Sequence, residues 1–540
     1  DRQIFELVQN AADEIRSDPG GEIAVVLTKT HLYCANQGSP VTTDGADTIL
    51  RMSVSRKRGG QIGRFGVGVK SVLSISDTPE FFSVADGTPF AFGFDREWAA
   101  GLIRQLFPEA EETPVLRMAR PIDPVRARDL DPVLAEMVSW ATTVVRLPLR
   151  PAAADRLAAD VRSFPVEFGI FSPHVGTLTL EDRRGALTRR QIFQRSRGNR
   201  RILQEVKPDE TTVDHHWRVF TRTHRPSVEA LSAAGELHDR PEIDISWAVP
   251  ERSTARGMFW AYFPTKFATT LRGILNAPWK TSEDRQAIFD GSAFNDELIK
   301  VAADLVVESL PGLSTSEDPA AYIDYLPGRG REAPQFADER LTSAIWSAAA
   351  GRPSLVDQDG AFRTPGDIEL HPDGLQEEWL RMWAGHEGRP PDWVHHSAER
   401  RERRARVALV LSKAGRIESS AVRWLEALVT DRSADASAAA IRIIAAMTEA
   451  GHALAEQASR SRVLLTASGE LVAPVRGEVY RRSGTDDLDD DLVYVDERVV
   501  AAFGVPSALE SLGVREADST GRFAAVVDKG FDGYTDEKWD

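Results

Sequence analysis

Cysteine is scarce in this sequence, and its scarcity excludes several classes of protein. Cys34 is the one cysteine among 540 residues, so neither a disulfide framework nor a thiolate zinc site is available. No run approaches the ~20 apolar residues that a membrane-spanning helix needs, and no signal-peptide pattern opens the chain. These absences predict a cytoplasmic protein with no membrane segment.

Positive charge is also in short supply. Asp and Glu number 82 against 66 Lys and Arg, which gives a formal net charge of −16 at pH 7. An acidic chain has no general attraction to nucleic acid or anionic membrane, although a local basic patch can still bind either. The balance therefore favours a protein client or partner and disfavours nucleic acid without excluding it.

The length of the chain predicts several domains, because 540 residues exceed what one hydrophobic core usually supports. We predict an α/β fold: an α/β domain over residues 1–164, a mixed α/β domain over 165–312, and a helix-rich region over 313–540. Strand candidates in the middle part are GTLTLED, HHWRVFTRT, IDISWAV and GMFWAYFP. The chain begins at Asp1, directly in a helical pattern, so we expect sequence to be missing before Asp1 and after Asp540.

Two features of the last region have competing interpretations. Segments 355–370 and 464–480 share a strand, a turn with glycine, a second strand and a proline, which indicates either two β-hairpin repeats or two unrelated hairpins. The arginine-rich run 400–406 predicts an exposed helix face and, secondarily, a patch for nucleic acid or a partner.

The first segment, residues 3–16, predicts an amphipathic helix. Its apolar residues recur at helical spacing, at Ile4, Val8, Ala11 and Ile15. On the opposite side lies a polar row of Glu6, Asn10 and Asp13. A carboxylate one turn from a carboxamide can polarise a water while the amide oxygen ligates a hard cation such as Mg²⁺. On its own, such a face is more often merely exposed.

Two further motifs follow. Asn36-x-Gly38 ends a predicted strand, where a side-chain carbonyl could accept a hydrogen bond from an exocyclic amine and glycine would let a ring approach; on its own, the motif is simply a turn. Glycines at 63, 66 and 68 then precede a helical pattern, a combination that predicts a phosphate-binding loop. It is not a Walker A loop, because Val69 stands where glycine must precede Lys70, and the dinucleotide spacing is absent.

Together, ELVQNAAD, ANQGSPV and IGRFGVGVKS resemble the GHKL ATPase superfamily of gyrase, heat-shock-protein-90 chaperones, histidine kinases and MutL. SRKRGGQIGRFGVGVKSV, TVVRLPLR and LNAPWKTSEDR are further similar to its sacsin-type heat-shock-90-like members. The resemblance covers roughly residues 1–310. It implies a Bergerat-type α/β sandwich followed by a transducer-like domain, with ATP and Mg²⁺ as cofactors.

The resemblance also implies residue roles. Glu6 is the general base, Asn10 the Mg²⁺ ligand, and Asp13 lies beside the nucleotide. Asn36 and Gly38 meet the adenine, and Thr143 helps to hold it through water. The phosphates are wrapped by Gly63, Arg64, Phe65, Gly66, Val67, Gly68 and Val69, and residues 45–61 form a mobile lid with Lys57 and Arg58 near its end.

Two positions modify this assignment. The family usually binds the adenine amine with Asp, and here the residue is the uncharged Asn36, with Pro40 replacing the second glycine of that motif.

Lys280 and Arg285 are the candidates for a cation that stabilises the γ-phosphate during hydrolysis, with Lys266 as a further candidate. The alternative for Lys280 and Arg285 is surface ion pairing with Glu283 and Asp284.

These features predict a slow, Mg²⁺-dependent ATPase that uses lid closure and domain rearrangement to remodel a protein client, with nucleotide-dependent homodimerisation as a candidate step. The alternatives are a MutL- or MORC-like DNA-transaction or anti-phage defence ATPase and a non-hydrolysing nucleotide sensor. A histidine kinase is disfavoured, because Glu6 suits attack by water and no phosphoacceptor helix is visible.

Overall fold

The computed structural model describes residues 2–41, 72–109, 118–235, 241–251, 257–282, 285–328, 335–482 and 492–528. Its contacts divide the chain into two units. The first comprises Asp1–Val306 and Pro327–Ala344, and the second comprises Val307–Leu326 and Ile345–Asp540. The first two predicted domains fall largely within the first unit, and the boundary between them at residue 164 stays a prediction.

One large mixed sheet forms the first unit. Its strands are β1 (Gly21–Leu27), β2 (His31–Asn36), β3 (Glu80–Ala85), β4 (Thr88–Gly93), β5 (Arg120–Ile122), β6 (Thr143–Pro148), β7 (Val175–Asp182), β8 (Thr188–Arg197), β9 (Arg200–Val206), β10 (Thr212–His224), β11 (Ile243–Pro250), β12 (Gly257–Trp260), β13 (Pro264–Thr269) and β14 (Ile274–Asn276). Among the described residues, these fourteen strands join in the order β13-β12-β14-β11-β10-β9-β8-β7-β1-β2-β6-β3-β4-β5. Neighbours are antiparallel except β1–β7 and β12–β14, which are parallel.

Helices pack on parts of both faces of this sheet. They are α1 (Gln3–Ile15), α2 (Arg96–Leu106), α3 (Pro124–Leu130), α4 (Pro132–Val138), α5 (Ala153–Arg162), α6 (Phe168–Phe171) and α7 (Val228–Ala234), and α8 (Ala293–Ser309) and α9 (Phe336–Ala350) begin in this unit. The mixed α/β prediction is therefore confirmed. The four predicted strand segments are β7, β10, β11 and β12, whereas β8 and β9 were not predicted, because alternating arginines hide their apolar residues.

The apolar row of α1 packs on the sheet as its periodicity predicts. Ile4, Val8, Ala11 and Ile15 are all buried. They join Val25, Cys34 and Leu147 from the sheet in one core. The other face of β1, β2 and β6 packs against α4 through Val26, Tyr33 and Val144. The two sides of each strand thus alternate between two cores, and the polar residues on the α1 side of the sheet lie near α1.

The second unit is rich in helices, in agreement with the prediction for the C-terminal region. Its helices are α10 (Glu377–Ala384), α11 (Arg401–Lys413), α12 (Ala421–Leu428), α13 (Ala434–Glu449), α14 (Ala455–Ala458), α15 (Glu497–Val500), α16 (Val505–Ser511) and α17 (Ser519–Asp528). Its strands are β15 (Leu355–Val356), β16 (Phe362–Arg363), β17 (Leu464–Leu465), β18 (Leu471–Val472), β19 (Val479–Tyr480) and β20 (Val493–Tyr494). No helix in the described segments is long and apolar enough to cross a membrane.

Two parts of the second unit repeat one local topology. Hairpins β15–β16 and β17–β18 are both antiparallel and are both followed by a parallel pairing, Glu369 with Trp393 in the first part and β19 with β20 in the second. A later helix in each part is capped by a side chain that accepts from the amide three residues on: Ser420, before α12, accepts from the N–H of Arg423, and Asp518, before α17, accepts from the N–H of Gly521. Both parts contain the predicted hairpin, and the interpretation as two repeats stays a prediction.

The arginine-rich run corrects one sequence prediction. Residues 400–406 do start a helix, α11, but the middle of the run is internal: the Arg403 side chain is 2% exposed and is bound by Asp318 and Asp324, with the shortest N–O distances 2.7 and 2.6 Å. Arg404 is 8% exposed and forms ion pairs with Asp373, Glu399 and Glu418. The prediction of an exposed basic face was wrong for Arg403 and Arg404, because acidic residues from several segments converge on these two guanidinium groups, whereas Arg400 is 73% exposed.

Replacing Arg403 by alanine should destabilise the second unit by about 3–5 kcal/mol, because Asp318 and Asp324 would lose the buried guanidinium that binds them both. Loss of hydrogen-exchange protection in α11 and its neighbours, measured by mass spectrometry, checks this. Arg460→Ala, which removes an exposed pair with Glu456, is the control and should cost about 0.5 kcal/mol or less. Equal protection in the two variants would contradict the prediction.

The same ion pairs make the stability of the second unit depend on pH. Burial alone would raise the pKa of Asp318, but the hydrogen bonds and charge of Arg403 outweigh burial and hold that pKa below its usual value. A carboxylate with a lowered folded-state pKa stabilises the fold above its unfolded pKa of about 4, and this contribution is lost as the pH falls through the folded value. The pairing is therefore fully present at neutral pH.

Candidate functional site

Helix α1 carries the three predicted polar residues, and the structure gives them different environments. The side chain of Glu6 is 17% exposed, and Asn10 is partly exposed. Asp13 is buried, and its carboxylate lies 3.9 Å from the guanidinium of Arg16. The predicted exposed row is therefore open only at Glu6 and Asn10.

Arg285 meets Glu6 from a distant part of the chain. One guanidinium nitrogen of Arg285 lies 3.4 Å from Oε2 of Glu6. Another donates to Oε1 of Gln9 at 2.7 Å, a hydrogen bond between residues 276 positions apart. The Arg285 side chain is 5% exposed. The structure thus brings together two of the predicted catalytic residues, in a nearly dry setting where charge interactions are stronger than in water.

The backbone at Arg285 is in an unfavourable conformation. Its φ is +55°, in the left-handed region that side chains other than glycine and asparagine rarely adopt. Arg2 donates to the Arg285 carbonyl oxygen at 3.5 Å and also to the carbonyl of Pro264. Such residues persist only where their surroundings hold them, and they cluster at functional sites.

Gln9 is a site residue that the sequence analysis missed. It is fully buried, and its Nε2 has no hydrogen-bond partner among the described residues. The available signal was a glutamine among apolar residues, three positions after Glu6 and thus on a neighbouring part of the helix surface. Gln9 orients the Arg285 guanidinium through its carbonyl oxygen.

The structure does not bring Lys280 to Glu6. Its ammonium donates to the carbonyl of Ala233 at 2.7 Å, near the end of α7, and its backbone N–H donates to Oδ1 of Asn295 at 2.8 Å. Lys266 in β13 is exposed. Glu283 and Asp284, the alternative partners of Lys280 and Arg285, lie outside the described residues. A catalytic role for Lys280 stays a prediction, with Arg285 the better placed of the two.

A polar row crosses three neighbouring strands on the α1 side of the sheet. Asn36 in β2 is the register partner of Thr143 in β6, and Thr143 is the register partner of Ser83 in β3. The hydroxyl oxygens of Ser83 and Thr143 are 3.1 Å apart. The structure therefore places the two residues predicted at the adenine end side by side.

Ser83 was not predicted. It is buried, accepts a hydrogen bond from the backbone N–H of Val41 at 3.0 Å and donates to the carbonyl of Thr142 at 3.2 Å. A serine inside the apolar strand EFFSVA was the only sequence signal. Ser83 connects the Thr143 hydroxyl to the backbone that follows Asn36 and Gly38.

The amide of Asn36 has a defined orientation. Its Nδ2 donates to the carbonyl of Gln37 at 2.8 Å, so its Oδ1 is the end that can accept a hydrogen bond. Within the described segments, Oδ1 takes no hydrogen bond. An asparagine fixed in this way presents an uncharged hydrogen-bond acceptor.

Gly38 is required by the close approach of α1. Its φ is +107°, and a Cβ added there would lie 2.4 Å from the carbonyl oxygen of Glu14. The neighbouring Ser39 N–H donates to that same oxygen at 3.0 Å. No larger residue fits here, and the contact fixes the end of α1 against the segment that carries Asn36.

The remaining predicted residues fall outside the described part of the chain. They are Lys57, Gly63, Arg64, Phe65, Gly66, Val67, Gly68 and Val69, together with the lid over residues 45–61. Their roles at the phosphates stay predictions.

The oxygen donors at α1 are of the kind that suits Mg²⁺. The described segments hold no cluster of three or more His, Cys, Asp and Glu side chains able to bind a metal by themselves. Mg²⁺ at nucleotide sites usually keeps several waters and takes only one or two protein ligands besides phosphate oxygens. The partly exposed amide of Asn10, one turn from Glu6, fits that requirement.

Comparison with known proteins gives no family assignment. No family model matches the chain, and no curated protein matches it.

Proposed function

We propose that the chain binds ATP with Mg²⁺ and hydrolyses it, as a GHKL-type ATPase similar to the sacsin-type heat-shock-90-like proteins, with a Bergerat-type sandwich in its first part. The observation that supports this proposal best is the contact between Glu6 and Arg285. A general base and a cation for the γ-phosphate were predicted from separate motifs, and the two side chains lie against each other.

In the proposed reaction, Glu6 takes a proton from a water molecule, and the resulting oxygen nucleophile attacks the γ-phosphorus. The bond from that phosphorus to the β–γ bridging oxygen breaks, which leaves ADP and phosphate. Mg²⁺ held by Asn10 would neutralise charge on the phosphate oxygens. Arg285 leaves Glu6 and donates to the γ-phosphate, where negative charge is stabilised during transfer. Gln9 retains one nitrogen of that guanidinium throughout.

The adenine end of the proposed site is the row of Asn36, Thr143 and Ser83. The fixed acceptor Oδ1 of Asn36 suits the exocyclic amine of adenine, whereas guanine offers a carbonyl oxygen at the equivalent ring position. The Thr143 hydroxyl can hold a bridging water, and Ser83 orients that hydroxyl. This arrangement favours ATP over GTP.

The test of the proposal is calorimetry with ATP, GTP and a non-hydrolysable ATP analogue in the presence of Mg²⁺, followed by turnover of the same sample. Asn10→Ala should abolish Mg²⁺-dependent binding, while Asp18→Asn, an exposed change just beyond α1, should bind normally. Absence of ATP binding by the unmodified chain would refute the proposal. Binding without turnover would favour the nucleotide sensor.

Asn36→Ala should weaken ATP binding about 3- to 10-fold, because one hydrogen bond contributes about 0.5–1.5 kcal/mol net. Binding of GTP should change less, so the ratio of the ATP affinity to the GTP affinity should fall. Calorimetry on both nucleotides measures the two changes together. An equal loss for ATP and GTP would show instead that Asn36 supports the site without reading the base.

The proposed work of the ATPase is conformational. ATP binding would order the lid, draw Arg285 onto the phosphates and change the contacts of the second half of the sheet, so as to remodel a protein client or to promote a homodimer. The DNA-transaction and defence alternative loses its original support, since Arg403 and Arg404 are internal. Exposed arginines on the large sheet give the DNA-transaction alternative new support.

A further inference from the structure

An exposed basic surface lies on the middle of the large sheet. Arg197 in β8, Arg200 in β9 and Arg218 in β10 are register partners in a row across three strands. Arg195 precedes Arg197 by two positions and so lies on the same face. We call these four arginines, with His216 beside them on β10, the arginine face.

The arginine face points away from the core. Ile192, Leu203 and Trp217 occupy alternate positions of the same strands and are buried in the core on the other side. Farther along β10, Arg222 and His224 lie on the same side as Arg218, but Asp304 and Glu297 of α8 bind them, at 4.0 and 2.6 Å. Arg195, Arg197, Arg200 and His216 are exposed. Helix α8 therefore neutralises one end of this side of β10 and leaves the other end open.

Acidic residues neutralise little of the charge of the arginine face. Glu251 lies 3.7 Å from Arg200 and 3.6 Å from Arg218. Arg195 and Arg197 form no ion pair within the described segments. Glu251 thus pairs with two of the four arginines, on a chain whose formal net charge is −16. This local positive charge contrasts with the negative net charge of the chain, and it attracts polyanions.

The spacing and chemistry of the arginine face suit phosphodiesters. Neighbouring strands lie about 4.8 Å apart and alternate residues about 6.8 Å apart, so the guanidinium groups form a two-dimensional array. Guanidinium groups bind phosphate through paired, parallel hydrogen bonds. Phe193 and Ile202 lie half-buried on the same side, and His216 is exposed beside them, so rings are available for bases to stack on.

The topology argues against an extended peptide as the ligand. A peptide that binds a sheet by adding a strand needs a free edge, and β8, β9 and β10 are each hydrogen-bonded on both sides. A basic, ring-bearing sheet face is instead suited to unpaired nucleotides. We propose that the arginine face binds single-stranded nucleic acid, chiefly through its phosphodiester backbone.

Fluorescence anisotropy with labelled single-stranded DNA and RNA oligonucleotides, titrated over several salt concentrations, tests the proposal on the full chain. Both should bind at low salt, with affinity falling steeply as salt rises. The triple variant Arg195→Ala, Arg197→Ala and Arg200→Ala should reduce the slope of log K against log salt by about 2, since each lost phosphate contact removes about 0.7. Glu251→Gln should strengthen binding.

Two controls separate this surface from general charge. A matched triple variant at Arg381, Arg460 and Arg498, which are exposed side chains of the second unit, should keep the original slope. Phe193→Leu should weaken binding to single strands several-fold through lost stacking, while the salt slope stays unchanged. Both triple variants should retain the thermal transition and ATP response of the unmodified chain.

Three results would overturn the proposal. The first is no binding of either oligonucleotide at low salt. The second is an equal slope in the two triple variants. The third is binding of polyglutamate, sensitive to the Arg195, Arg197 and Arg200 changes, without binding of nucleic acid, which would assign the face to an acidic protein.

Discussion

Glu6→Gln should leave ATP binding within about threefold of the unmodified chain and lower turnover by about 10²- to 10⁴-fold, the usual contribution of a positioned general base. Glutamine keeps the shape of the side chain and an oxygen that can accept from Arg285, but it cannot take a proton from water. Calorimetry and phosphate release on the same preparation measure the two quantities.

Glutamine is a better probe here than alanine. Glu6→Ala would leave the Arg285 guanidinium, 5% exposed, without its carboxylate, so that instability and lost chemistry would be confounded. Glu97→Gln on α2, exposed in the structure, is the matched control and should turn over normally. Unimpaired hydrolysis by Glu6→Gln would remove Glu6 from the mechanism, even if ATP binding were established.

Arg285→Ala should lower turnover by about 10³-fold or more, because a guanidinium on the transferred phosphate contributes on that scale in related reactions. Lys280→Ala should have a smaller effect, since its ammonium is bound to the carbonyl of Ala233. Single-turnover rates with saturating ATP compare the two variants directly. Equal losses would mean that both cations reach the phosphate in the reacting state.

Two further variants separate the chemistry of Arg285 from its structural role. Arg285→Gly relieves the left-handed backbone, with φ +55°, and should fold at least as well as Arg285→Ala while remaining inactive. Gln9→Leu removes the acceptor that orients the guanidinium and should reduce turnover more than ATP affinity. Normal turnover in Gln9→Leu would show that Glu6 alone positions Arg285.

Local patterns predicted the elements of the site better than its contacts. The four-, three- and four-residue spacing of apolar residues was enough to define α1, because burial of one face needs no knowledge of the partner. The partnership of Arg285 with Glu6 and Gln9 depends on packing between segments more than 270 residues apart, as the separation of 276 residues for Gln9 illustrates. No local rule contains that information.

The same limit explains why the sequence did not show which arginines are exposed. In the sequence, the run 400–406 has the composition of a solvated helix face, yet Asp318, Asp324 and other carboxylates brought in by the fold enclose its centre. Conversely, Arg195, Arg197 and Arg200 are spread over a hairpin, and only strand register aligns them with Arg218. Sequence gives the charges, whereas tertiary structure decides which of them meet solvent.

The parallel pairing of β1 with β7 has a practical consequence for dissecting the protein. Strand β1 is interior to the sheet, with β2 on one side and β7 on the other, and five of its seven residues are buried. A recombinant fragment that stopped at residue 164 would lack β7 and would expose the full edge of an apolar strand, a template for aggregation. A fragment intended for biophysical work should therefore retain the sheet through β14.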